Sequence, residues 1–101
     1  MQTVGILTVN TVNDLYNNSL TKFMDIQIAV NEGKLRREQA RRILMNTVSI
    51  TERGFKAATR MAAADSKWTV GVQNAYENEF KELIDQMQEY LQTELNSTRS
   101  L

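Results

Sequence analysis

Residues 36 to 64 constrain this chain more than any other stretch. Apolar Ile43, Leu44, Val48, Phe55, Ala58, Met61 and Ala62 share one broad face when the segment is wound as a helix, and apolar residues at three- and four-residue steps mark an amphipathic α-helix. Glu38 with Arg42 and Glu52 with Lys56 form acid-first pairs at the i,i+4 spacing, which adds a little to the stability of an exposed helix. A helix of that length is about 43 Å long, whereas a compact chain of 101 residues would have a diameter of only about 33 Å. The molecule is therefore expected to be all-α and elongated.

Its start carries mixed signals. Leu35 is placed to staple onto Ala40, and Gln39 occupies the capping-box position, but Arg36 stands at the cap where a short oxygen side chain is preferred. Gly54 lowers helix propensity by about 1 kcal/mol relative to alanine. With Ala57, Ala58, Ala62, Ala63 and Ala64 nearby, its expected role is to let another helix approach closely rather than to break this one.

Two further helices are expected, giving an elongated three-helix bundle over about 12–32, 36–64 and 72–96, within a single domain spanning 1–101. The first opens on Thr11-Val-Asn-Asp14, which reads as a cap, and carries Val12, Leu15, Tyr16, Leu20, Phe23, Ile26 and Val30 at helical steps before Gly33 stops it. Asn17, Asn18, Ser19 and Thr21 lower its intrinsic propensity, so it depends on packing. The third carries Tyr76, Phe80, Leu83, Met87 and Tyr90, with Ile84, Leu91 and Leu95 widening the stripe and Glu77–Lys81 as another acid-first pair. Between the second and third, Asp65 to Gly71 reads as a turn around Trp68. Residues 1–10, uncharged and rich in β-branched side chains, read as an apolar arm packed on the helices or on a neighbouring subunit. Residues 97–101 read as a frayed tail.

The absence of cysteine and histidine removes disulfides, thiol chemistry, zinc fingers, iron-sulfur clusters and imidazole catalysis. A general base would then need a strongly shifted carboxylate, lysine or tyrosine. No phosphate-cradling or serine-activating glycine motif occurs, so no enzyme activity and no cofactor are expected. No segment has the length of apolar run that a membrane span or a signal peptide requires. The expected location is the cytoplasm, or a virion if the chain is a particle component.

Charge is sorted along the chain although it sums to zero. Residues 1–33 carry −2, residues 34–67 carry +6 and residues 68–101 carry −4. On a helical wheel Lys34, Arg37, Arg41, Arg42, Arg53, Lys56, Arg60 and Lys67 fall within a sector of about 160° opposite the apolar face. These are the candidate contacts for an anion or an acidic partner. No aromatic side chain is interleaved with them, which weakens a single-strand nucleic-acid reading. Glu82, Asp85 and Glu89, with Glu79 nearby, line a face of the third helix. Without histidine a helical di-metal site is not expected there, and pairing with the basic helix, within or between chains, is the better use of that face.

The third helix offers more apolar surface than two partner helices obviously need, so Tyr76, Phe80, Leu83, Met87, Tyr90 and Leu91 are expected to drive self-association. The expected function is a non-enzymatic assembly or adaptor protein working through contacts with copies of itself or with a larger protein assembly. Nine Asn and ten Thr without Pro, His or Cys give the texture of a small phage or virion component. The alternative is a nucleic-acid-binding regulator using the basic face of the second helix.

Overall fold

The computed structural model describes residues 4–95, with side chains from Thr11 onward. Among these it contains three α-helices and no strand: α1 (Val4–Asn31), α2 (Arg37–Ala62) and α3 (Val70–Tyr90), the last running into a π-helical turn at Leu91–Leu95. The helices run up, down and up, so that Val12 of α1 meets Ala58 and Ala62 of α2 and Phe80 of α3. At the other end Phe23 and Ile26 meet Ala40, Leu44, Leu83, Met87 and Leu95. The molecule measures 55 × 22 × 15 Å, with a radius of gyration of 15.9 Å against about 13 Å for a compact chain of this size. The elongation expected from the length of the second helix is present.

Two expectations at the N-terminus are corrected. Residues 4–10 are the first turns of α1 rather than a separate arm; residues 1–3 and the expected tail at 97–101 lie outside the described residues. Thr11 consequently sits inside α1 rather than at its start. Each β-branched residue lowers helix propensity by only a fraction of a kcal/mol, which an established helix downstream outweighs by propagation.

The helix stops follow the sequence more closely. Gly33 has φ +74°, the left-handed conformation that glycine adopts without a Cβ penalty. The N–H of Lys34 donates to the Ala29 carbonyl at 2.9 Å and that of Gly33 to the Val30 carbonyl at 3.1 Å, which is the double bond of a Schellman stop. At the start of α2 only half of the capping box forms. The Arg36 N–H donates to Gln39 Oε1 at 3.4 Å, while a guanidinium has no acceptor to return the bond. Thr69 caps α3, its Oγ1 accepting from the Val72 N–H at 3.1 Å.

The core has two apolar clusters, one at each end of the long axis. Between them Ser19 of α1 and Thr51 of α2, both buried, meet through their hydroxyls at 2.7 Å. Gly54 lies one turn further along α2, and a Cβ there would stand 3.0 Å from Leu15 Cδ2. Close approach of two helices is thus what this glycine permits, as its alanine-rich surroundings suggest.

α3 ends differently from expectation. Eight residues after Met87, Leu95 would have drifted about 80° off the core face of a continuous α-helix. The wider turn at Leu91–Leu95 advances each residue through a smaller angle, and Leu95 returns to full burial.

Candidate functional site

The stripe expected to drive self-association is instead core. Phe80 is 1% exposed, Leu83 2% and Met87 0%, and Leu91 is half-buried against the same cluster as Met87. Phe80 is stacked on Phe55 at a centroid distance of 4.3 Å and meets the edge of Tyr16 at 5.4 Å. The two tyrosines close the ends of the stripe. Tyr76 stacks on Trp68 at 5.6 Å, and Tyr90 makes an edge contact with Phe23 at 5.7 Å. Trp68 is held in turn by its indole N–H, which donates to Gln73 Oε1 at 3.0 Å. None of the six residues therefore forms part of an open apolar stripe. α1 and α2 are both long enough to cover α3 from one end to the other, and the surface that looked surplus is consumed within the chain.

The Tyr90 phenol is pushed above its ordinary pKa of 10.0, chiefly by burial and secondarily by the Glu94 carboxylate, with the Arg37 guanidinium pulling it back down. Arg37, the first residue of α2, shares its wheel angle with Phe55, which stacks on Phe80, and so lies at the edge facing α3. Two other members of the basic set also leave the stripe. Lys34 lies in the turn after α1, where its Nζ pairs with Glu32 at 3.0 Å and both side chains are largely exposed. Lys67 lies in the turn after α2, its backbone N–H donating to Asp65 Oδ1 at 2.9 Å. Wheel angles apply only within a helix, so the sector read from the sequence narrows.

What remains is Arg41, Arg42, Arg53, Lys56 and Arg60, all exposed along α2. Arg42, Arg53, Lys56 and Arg60 fall within a sector of about 60° on the side away from the core and span about 27 Å. Among the described residues the ion pair that forms is Lys34–Glu32; the i,i+4 pairs Glu38–Arg42, Glu52–Lys56 and Glu77–Lys81 are not closed. On α3, Glu82, Asp85 and Glu89 are exposed and likewise face away from the core. The basic and acidic faces of the molecule thus belong to different helices and do not neutralise each other.

The residues that the sequence reading missed as surface are apolar. Ile43 is 37% exposed, Ile50 55% and Met61 69%, and the three fall within about 20° on the wheel of α2. They flank the contact between α2 and α1 on the side opposite α3. Ile43 and Met61 were expected on the apolar core face. That face is narrower than the pattern suggests because α1 approaches α2 through Gly54 and Thr51 rather than through the neighbouring positions.

Two shallow grooves border α3. One, of about 390 Å³, has Phe55, Phe80 and Ile84 on its floor and Glu52, Lys56, Glu77, Lys81 and Asp85 at its rim. The other, of about 400 Å³, lies between α1 and the end of α3 beside Phe23, Met24 and Tyr90. Among the described residues no three acidic side chains converge where a metal ion could sit, and no helix is long and apolar enough to cross a membrane. Comparison of the chain with protein-family models, with curated proteins and with solved structures found no match.

Proposed function

We propose that this chain is a non-enzymatic assembly protein that works by presenting helical faces to copies of itself. The observation that carries this reading is the uncovered line Ile43, Ile50 and Met61 along one flank of α2. Single exposed apolar residues are ordinary on a protein surface, whereas aligned ones mark a face that gains by being covered. An elongated chain of this size also buries a small share of its surface alone, so a second copy adds burial that the monomer cannot reach.

Light scattering on the purified protein tests the reading. The mass is expected to exceed the 11.6 kDa of one chain and to fall towards it in an Ile50→Glu/Met61→Glu variant that keeps its helical circular dichroism. A wild-type mass of one chain at every concentration would remove the proposal.

A second reading has its own support. Arg42, Arg53, Lys56 and Arg60 form a solvent-facing row unpaired with any acid, and such a row can neutralise successive phosphates of a duplex. Binding to duplex DNA that falls steeply with salt, and that is lost when these four residues are replaced by glutamine, is its expected signature.

A further inference from the structure

We propose that the cationic ladder Arg53, Lys56 and Arg60 on α2 of one copy docks against the acidic ladder Glu82, Asp85 and Glu89 on α3 of a second copy. The inference rests on the self-association reading and names the surfaces that meet. Both ladders have the same spacing, a step of three residues followed by a step of four, so each extends about 10.5 Å along its helix. All six side chains are exposed and none is in an ion pair. Within one molecule the ladders touch a common groove only through Lys56 and Asp85, which border it without pairing, while Arg53, Arg60, Glu82 and Glu89 face away from the core that α2 and α3 share.

Symmetry decides between the possible pairings. A two-fold contact of α2 with α2 would cover the apolar line but set two cationic ladders side by side, and a two-fold contact of α3 with α3 would do the same with the acids. Like charges held close across an interface oppose association. The contact of α2 with α3 joins opposite charges at matched spacing and is heterologous, the same two different patches being used at every junction. A second copy bound this way still presents its own free α2, so growth continues until a ring closes or a filament forms. The incoming α3 lands on α2 along Asn46 and Ala57, with Arg53, Lys56 and Arg60 on one side of it and Ile50 and Met61 on the other. Charge selects the partner face and its register.

Charge exchange tests the contact. Two variants are made, Arg53→Glu/Lys56→Glu/Arg60→Glu and Glu82→Lys/Asp85→Lys/Glu89→Lys, and their masses are measured by light scattering beside the wild type at low and high salt. The wild type is expected to assemble, more weakly at high salt. Each variant alone is expected to sit at the mass of one chain with its helical spectrum intact, its dissociation constant raised at least tenfold. An equimolar mixture of the two is expected to regain high mass, since every junction in it again joins opposite charges. A wild type that assembles while either variant keeps its mass, or a mixture that stays monomeric, overturns this contact and leaves the assembly reading standing. A wild type that is monomeric throughout overturns both, and if duplex DNA then raises its mass the cationic ladder serves nucleic acid instead. Should a reversal unfold the chain, glutamine at the same three positions is the substitute, with loss of salt dependence as the expected result and its retention as the refutation.

Discussion

The hydroxyls of Ser19 and Thr51, thirty-two residues apart, meet at 2.7 Å in the buried contact between α1 and α2. Thr51 Oγ1 also donates to the Thr47 carbonyl at 2.7 Å. A hydroxyl has one proton, so in the inter-helix bond Ser19 donates and Thr51 accepts. The pair separates the two apolar clusters and is satisfied in only one register of α1 against α2. A slip of either helix would leave the Ser19 hydroxyl buried without its acceptor, while Thr51 keeps its bond to Thr47.

That direction makes the two single substitutions unequal. Thr51→Val keeps the shape of the side chain but leaves the Ser19 O–H without its acceptor, at a cost of about 1 to 3 kcal/mol. Ser19→Ala removes the donor and leaves Thr51 with its bond to Thr47, at a cost of about 0.5 to 1.5 kcal/mol. Combining the two should be milder than Thr51→Val alone, because no donor is then stranded. Urea unfolding of the four proteins gives the order, and a double variant less stable than Thr51→Val would contradict it.

Gly54 and Leu15 offer a second inter-helix test. A Cβ at position 54 would stand 3.0 Å from Leu15 Cδ2 and 3.3 Å from Cδ1, and both atoms are the free end of a flexible side chain. Gly54→Ala gains up to about 1 kcal/mol of helix propensity and loses some of it in moving Leu15, so a melting temperature close to that of the wild type is expected. Gly54→Leu overpacks the contact at a cost of about 1 to 3 kcal/mol. Adding Leu15→Ala to Gly54→Leu should recover part of that loss. No recovery would mean that something other than Leu15 limits the site.

The two long helices and the sense of their faces were legible because their periodicity is strong and their ends are marked by Gly33 and the Trp68 turn. What a helix cannot encode in its own periodicity is how much of its stripe the neighbours will cover. Phe80, Leu83 and Met87 carry the same pattern whether they face α1 and α2 or a second copy, and in the fold Val12, Phe23 and Ile26 of α1 with Leu44 and Ala58 of α2 share their clusters. Ile43 and Met61 show the converse error, apolar in sequence and exposed in the fold. The Ser19–Thr51 bond was invisible for a different reason. Locally each residue registers only as a poor helix former, and their pairing depends on a contact made across the whole α1–α2 hairpin.

Tyr90 predicts a pH dependence. Its phenol is held above 10.0 in the fold, mainly by burial, so in alkaline solution the unfolded chain ionises first. The stabilisation is complete below the unfolded value and is lost as pH rises through the higher folded value. Denaturation midpoints should therefore fall as pH rises above about 10, and Tyr90→Phe should fall less over the same range. Parallel curves for the two proteins would show that Tyr90 does not contribute.

The π turn at Leu91–Leu95 behaves as a regular helix carrying one residue too many. Deleting an exposed residue there, Gln92, places the present Leu95 seven residues after Met87 instead of eight. Seven residues in an α-helix return to within about 20° of the starting direction, so the leucine meets the core without any widening of the turn. The deletion is expected to leave the melting temperature within a few degrees of the wild type. By contrast, Leu95→Ala, which empties a fully buried position, should cost about 2 to 5 kcal/mol. Deleting exposed Asn46 from the middle of α2 has no such remedy, since every later core residue of that helix would turn by about 100°, and the protein should lose its cooperative melt. If the Gln92 deletion is as damaging as the Asn46 deletion, the turn is holding something other than the register of Leu95.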